Sequence, residues 1–215
     1  MKFYDVSMTI SKDIQVYKNK PEKKPTFEIV SDFDYASARE TNMTFNLHTG
    51  THMDFPLHML PNGDNSDSLD LEKLITRVKV YDMTHLKTYI EEDDLRSLDI
   101  KKGDFVLFKT RNSFDEEFNF EFVFINASAS LYLAELKVTG VGVDGLGVER
   151  DQEGHPTHKN LFKAGITIIE GLRLKEINEG QYMMYALPIK IKGMDALPLS
   201  VILVEDEYDT QSNTN

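Results

Sequence analysis

The sequence predicts an α/β protein built around a large mixed β-sheet, on three observations. Short apolar runs rich in Val, Ile and Phe recur along the chain, only two segments read as helices, and the two kinds do not alternate regularly. A simple repeating βα fold is therefore not expected. At 215 residues the chain suits a single domain with a sizeable core, placed at 1–204.

The elements follow in order. Residues 3–10 have mixed strand character and 27–30 form a second short strand, with a His-rich segment after it and a turn at Pro61-Asn62-Gly63-Asp64. Residues 78–81 read as another strand, and 90–98 as a helix whose acidic residues 91–94 suit a first turn. Gly103-Asp104 punctuates before an apolar strand at 105–108, and Phe118, Phe120, Phe122 and Phe124 alternate with polar or smaller residues like a half-buried strand. Residues 127–136 read as a helix turning Leu131, Ala134 and Leu136 inward. Buried strands are expected at 138–143, 166–169 and 201–204, and residues 205–215 read as a flexible acidic tail.

Composition narrows the chemistry. With no cysteine, thiolate coordination and disulfides are excluded, which leaves His and carboxylate for any first-row divalent ion. A formal charge of −12 argues against a nucleic-acid partner. No apolar stretch reaches the length of a membrane span, and Met1-Lys2-Phe3-Tyr4-Asp5 is too polar for a signal peptide, so a cytoplasmic protein is expected.

Three of six histidines fall in His48-Thr49-Gly50-Thr51-His52-Met53-Asp54-Phe55-Pro56-Leu57-His58. His48 and His52 would share a helix face, but a helical zinc protease needs Glu after the first His, and Gly50 and Pro56 disfavour a continuous helix. As a strand, four residues span roughly 13 Å, too far for two imidazoles to meet one ion. The backbone is therefore expected to fold at Gly50, which tolerates positive φ. The plain alternative is a polar loop whose histidines only hydrogen-bond; the density of ligands favours a metal site.

A second constellation lies downstream, where His155-Pro156-Thr157-His158 precedes Gly165-Ile166-Thr167-Ile168-Ile169-Glu170-Gly171. A carboxylate ending a buried strand is costly unless paired or metal-bound, and Gly171 would let the backbone approach another element. Glu170 as a solvated strand-end acid remains the alternative from residue types alone.

Together the H-x-G-T-H-x-D-x-P-x-H pattern and Ile168-Ile169-Glu170-Gly171-Leu172, with His158 twelve positions before Glu170, resemble the cyclase-like metal-dependent hydrolases, the family of bacterial kynurenine formamidase and isatin hydrolase. The likeness runs from Asp5-Val6-Ser7 through Gly103-Asp104 and Lys109-Thr110 to the final strand. It implies a swivelling β/β/α domain. It also implies that His48, His52 and Asp54 hold one ion, and that Asp54, His158 and Glu170 hold a second, with Asp54 bridging. His58 is left as the proton-transfer residue. One or two divalent ions, Zn²⁺ or Mn²⁺, are the implied cofactors. After Asp144, where relatives often continue with Thr or Ser, this chain has Gly145-Leu146-Gly147, which bears on substrate contacts rather than on the ligands.

The function that this resemblance implies is hydrolysis of an amide C–N bond in a small molecule, foremost an N-formyl aryl amine such as N-formylkynurenine. An imidazole at His58 suits the proton transfer. Opening of an isatin-like cyclic amide is the close alternative, and a non-catalytic metal-binding protein the alternative of another class. A homodimer or higher homo-oligomer is expected from the resemblance and from the Phe-rich segment. Gly140-Val141-Gly142-Val143-Asp144-Gly145 fits G-x-G-x-x-G, but Gly147, Asp151, Gly154 and Pro156 leave no room for the helix a dinucleotide site needs. Tyr17 is either a pocket aromatic or simple packing, His85 reads as structural, and His155 either orients a ligand or is a loop residue.

Overall fold

The computed structural model describes residues 1–205. Strand β1 (Lys2–Asp5) opens the chain, and a ribbon of β2 (Thr26–Ser31) and β3 (Glu40–Thr44) precedes β4 (His52–Asp54), which carries the heart of the His-rich motif. Then come β5 (Ile75–Asp82), β6 (Tyr89–Ile90) and helix α1 (Glu92–Arg96). Strands β7 (Phe105–Lys109) and β8 (Phe124–Ile125) lead to helix α2 (Ala127–Leu136) and β9 (Gly140–Val143). Helix α3 (Pro156–Lys163), β10 (Thr167–Glu170), β11 (Gly180–Pro188) and β12 (Ala196–Glu205) complete the described chain. The last strand runs through Glu205, paired with Lys2; the rest of the expected acidic tail lies outside the described residues.

The expected mixed sheet is present, and it closes. Eight strands run in the order β1-β12-β11-β5-β7-β9-β10-β4, and β4 also pairs with β12, so seven strands form a barrel with β1 added beside β12. Closure removes the unpaired edges that an open sheet would present. Neighbours β5, β7, β9 and β10 are parallel, while β4 is antiparallel to both of its partners.

Alternation along the strands separates two apolar layers. Val78, Val80, Phe105, Leu107, Ile169 and Leu197 belong to one cluster, filling the barrel. Val106, Phe108, Val141, Val143 and Ile168 belong to the other, under Leu133, Leu161 and Phe162 of the helices. The G-x-G of β9 serves this packing: a Cβ on Gly140 would stand 2.0 Å from the Phe105 ring, and one on Gly142 2.4 Å from Leu107. After β9 no helix opens until Pro156.

Four local expectations need correction. The first strand ends at Asp5 because its side chain accepts the Ser7 N–H and turns the chain. The helix expected at 90–98 covers only Glu92–Arg96, since Ile90 is drawn into a strand pair with Ile125, and a capping box of Glu91 and Asp94 starts the helix beyond it. In α2 the fully buried residues are Ala129, Ser130 and Leu133; Ala134 and Leu136 pack against the core as expected, but Leu131 is 52% exposed, because the helix packs on α3, where Asn160 donates to Ser130 Oγ at 3.0 Å. The Phe-rich segment is not a strand before Phe124. It turns at Asn119, whose carbonyl accepts the Phe122 N–H, and Asn112 brackets Val123 from both sides. Phe118, Phe122 and Phe124 therefore collect around Leu146 and Tyr17 inside this chain, leaving Phe120 55% exposed.

Candidate metal centre

Strand register assembles the first part of the centre. Antiparallel pairing sets Glu170 opposite His52 and Ile168 opposite Asp54, and the two-residue period puts His52, Asp54 and Glu170 on the wall facing the helices. Gly50, at φ +73°, folds the chain back as expected, and the His48 ring stands edge-on to His52 with centroids 5.1 Å apart. Gly171 makes the close approach its sequence position suggested: its φ is +72°, and a Cβ there would lie 2.5 Å from the Gly50 carbonyl oxygen. His158 arrives from the first turn of α3, with Pro156 at the helix start.

The hydrogen bonds fix which nitrogen of each ring faces inward. His52 donates from Nδ1 to the Gly50 carbonyl at 2.9 Å, His158 from Nδ1 to Glu149 Oε1 at 2.6 Å, and His48 from Nε2 to Asp195 Oδ2 at 2.9 Å. Carbonyls and carboxylates only accept, so each of these nitrogens carries a proton, and the opposite nitrogen is the one left to bind a metal. All three of those nitrogens face Asp54. This is the outer-partner pattern of metal-binding histidines.

At His52 and His158 the inner distances fit a cation better than hydrogen bonds, while His48 Nδ1 stands closer, 2.9 Å from Asp54 Oδ1. His52 Nε2 lies 3.4 Å from Asp54 Oδ1 and 3.3 Å from Glu170 Oε2. His158 Nε2 lies 3.6 Å from Asp54 Oδ2 and 3.4 Å from Glu170 Oε1. A tetrahedron with metal–ligand bonds of about 2.0–2.2 Å has edges of about 3.3–3.6 Å. His52 Nε2 and both Asp54 oxygens are buried without a hydrogen-bond partner. Buried polar atoms are otherwise almost always satisfied, so these residues fit a divalent ion.

Electrostatics agree. Burial alone would push His52 down, but the carboxylates of Asp54 and Glu170 beside it raise its pKa to about 10. His158 is likewise raised against its burial by Asp54, Glu149 and Glu170. Asp54 is held well below the usual carboxylate range by His158, His48 and His52, although burial opposes this. The site is built to hold positive charge.

His58 joins the same cluster. Its ligand atom, with those of His48 and Asp54, lies within a 4.8 Å group, and its ring centroid is 4.2 Å from that of His48 and 5.6 Å from that of His158. By position it qualifies as a ligand as well as a proton carrier. Burial pushes its pKa below the ordinary imidazole value. His155 is a neighbour of Glu149, with Nδ1 3.2 Å from Oε1, while His85 is exposed near Asp82, outside the cluster.

Two functional residues escaped the sequence reading: Glu149 and Asp195, the outer partners of His158 and His48. Neither stands in a spacing motif. Asp195 reaches the site because β12 pairs with β4, where the Phe55 N–H bonds the Asp195 carbonyl. Glu149 accepts from Gln152 Nε2 and the Thr157 N–H as well, both at 3.0 Å. Beside the cluster opens a cavity of about 190 Å³, walled by Tyr17, Lys23, Met59, Leu146, Gly147 and Asp151.

A closed barrel aiming three imidazoles and two carboxylates at one point, beside a cavity, is the arrangement of a metal-dependent hydrolase. Residues 4–150 match the family model described as "Putative cyclase", and the chain belongs to that cyclase family. It is 32% identical over 206 residues to the kynurenine formamidase of Salinibacter ruber, spanning 94% of this chain and 97% of that protein. A solved "predicted metal-dependent hydrolase from Bacillus stearothermophilus" shares 49% identity over 94% of this chain and 97% of its own, with a TM-score of 0.87. Isatin hydrolase A from Labrenzia aggregata shares the fold at a TM-score of 0.83 and 23% identity, over 95% and 94% of the two chains. No helix among the described residues is long and apolar enough to cross a membrane.

Proposed function

We propose that this protein hydrolyses N-formyl aryl amines of the N-formylkynurenine type, releasing formate and the free amine. The observation that carries this reading is the set of three inward imidazole nitrogens 2.9–3.6 Å from the carboxylates of Asp54 and Glu170, beside a cavity walled in part by Tyr17. Similarity to kynurenine formamidase supports the formamide over other amides. Its ligands would be His48, His52, Asp54, His158 and Glu170. When bound, a divalent ion supplies Lewis acidity and brings the pKa of its water toward neutrality.

The chain's own residues do the rest. His58, neutral because burial disfavours its charged form, accepts the water proton as the water oxygen bonds to the carbonyl carbon. It returns that proton to the amine nitrogen as the C–N bond breaks. Asp195 Oδ2, 3.8 Å from His58 Nδ1, favours the transient imidazolium. Tyr17 walls the cavity, held edge-on by Phe118 at 5.3 Å and Phe122 at 6.4 Å. A volume of about 190 Å³ suits one aromatic ring with a small substituent, since a cavity of about 150 Å³ takes benzene.

The nitrogen and oxygen donor set supports a first-row divalent ion, with zinc or manganese the ions proposed. Two ions are supported by the two faces of Asp54: Oδ1 lies toward His48 and His52, Oδ2 toward His158. A homodimer is supported by the β2–β3 ribbon, which exposes Ile29, Val30, Phe33, Tyr35 and Met43 and is too small to be stable unsupported.

A hydrolysis screen of metal-loaded protein against formyl anilides, isatin-like lactams and simple esters tests the reading. Formyl anilides should lead, with formate released stoichiometrically. Turnover of lactams with none of formanilides would reject it in favour of ring opening.

A further inference from the structure

The cavity beside the metal cluster has one feature that the hydrolytic reading does not use. Among the described residues lining it, Lys23 is the only Lys or Arg, and its other charged side chains besides the histidines are the acids Glu149, Asp151 and Glu170. Those acids are occupied: Glu149 by His158, Gln152 and Thr157, Asp151 by Lys18 at 3.5 Å, and Glu170 by the cluster and the Val148 N–H. Lys23 makes no ion pair among the described residues. Its Nζ instead lies 5.4 Å from the centroid of the Tyr17 ring.

The position of Lys23 is built rather than incidental. It ends a short 3-10 turn begun by Pro21, and its carbonyl accepts the Thr49 hydroxyl at 2.9 Å. Thr49 is buried and adjoins His48, so the lysine is tied to the metal loop. Ring and ammonium therefore form one wall of the cavity, with the lysine backbone held to the segment that carries His48.

We propose that Lys23 selects substrates whose aromatic ring also bears an anionic group, binding the ring against Tyr17 and the anion at Lys23 Nζ. The chemical class is an aryl amide acid, preferred over neutral anilides and neutral lactams. Lys23 is thus a specificity-determining residue of the pocket, and this inference rests on the hydrolytic reading of the same site.

The test uses two small fluorescent aryl amines of nearly equal shape, 2-aminobenzoate and uncharged 2-aminobenzamide, titrated into the metal-loaded full chain. The wild type should prefer the acid, the preference should weaken with salt, and Lys23→Met should reduce the acid-to-amide affinity ratio about tenfold. Lys23→Arg should restore it. A ratio unchanged in Lys23→Met would overturn the proposal, as would failure of the wild type to bind either compound. So would equal weakening of both, which would make Lys23 a packing partner of Tyr17. A parallel assay of formate release from N-formylanthranilate and formanilide keeps the two readings apart. No release from either rejects the hydrolytic reading, while the titration still decides the role of Lys23.

Discussion

His158 gives its Nδ1 proton to Glu149 Oε1 across 2.6 Å, and this bond leaves Nε2 pointing at Asp54 and Glu170. Glu149 is buried and is gripped by Thr157 and Gln152 as well, so the imidazole has little freedom to rotate. Asp195 plays the same part for His48 from a more exposed position, its side chain 44% accessible. The outer carboxylates thus set both the orientation and the basicity of these two imidazoles.

Glu149→Gln should therefore weaken metal binding by about 10- to 100-fold, the usual consequence of losing an outer partner. Competition with a chromophoric chelator measures it. Asp195→Asn should lose less, because its carboxylate is partly solvated.

His58→Ala should keep its metal and lose about 10² to 10⁴ in kcat, the contribution of one acid–base group. Elemental analysis beside turnover separates the roles. Loss of metal would make His58 a ligand, as its place near His48 and Asp54 permits; full turnover with full metal would make it structural.

Metal loading should release protons. The metal-free site holds a proton on His52 up to about pH 10, against 6.5 for a free imidazole, and His158 is raised too. An incoming cation must displace those protons, so apparent metal affinity rises with pH and falls in acid. The same shift, taken as stability of the metal-free protein, is fully present below pH 6.5 and is lost as pH rises through about 10. Adding zinc to weakly buffered metal-free protein at pH 7.5 should acidify the solution; an unchanged pH would contradict the arrangement.

Gly171→Ala should destabilise the fold by about 1–3 kcal/mol, since the new Cβ meets backbone and the left-handed conformation is strained. A lower urea midpoint at unchanged slope is the expected signature.

Much of the site was legible because its ligands are dense in sequence. His48, His52 and Asp54 lie within seven residues, and Gly50 and Gly171 announce the backbone folding that unites them with Glu170. The family likeness supplied the pairing of His158 with Glu170. Glu149, Asp195 and Lys23 were not legible, because each arrives through tertiary contact: a helix start, a strand pair and a hydroxyl on Thr49. In the fold, strands such as β7 and β10 follow from apolar runs, whereas the Phe-rich segment has strand periodicity but is turned by Asn112 and Asn119. Barrel closure depends on a three-residue strand, β4, pairing on both sides, which local pattern does not report.

The central claim is that Asp54 and its surrounding imidazoles hold metal. The most direct measurement is elemental analysis of dialysed wild-type protein beside Asp54→Ala. One to two equivalents of zinc or manganese per chain in the wild type, and nearly none in the variant, is the predicted result. Wild-type protein without metal, or equal metal in both, would contradict it.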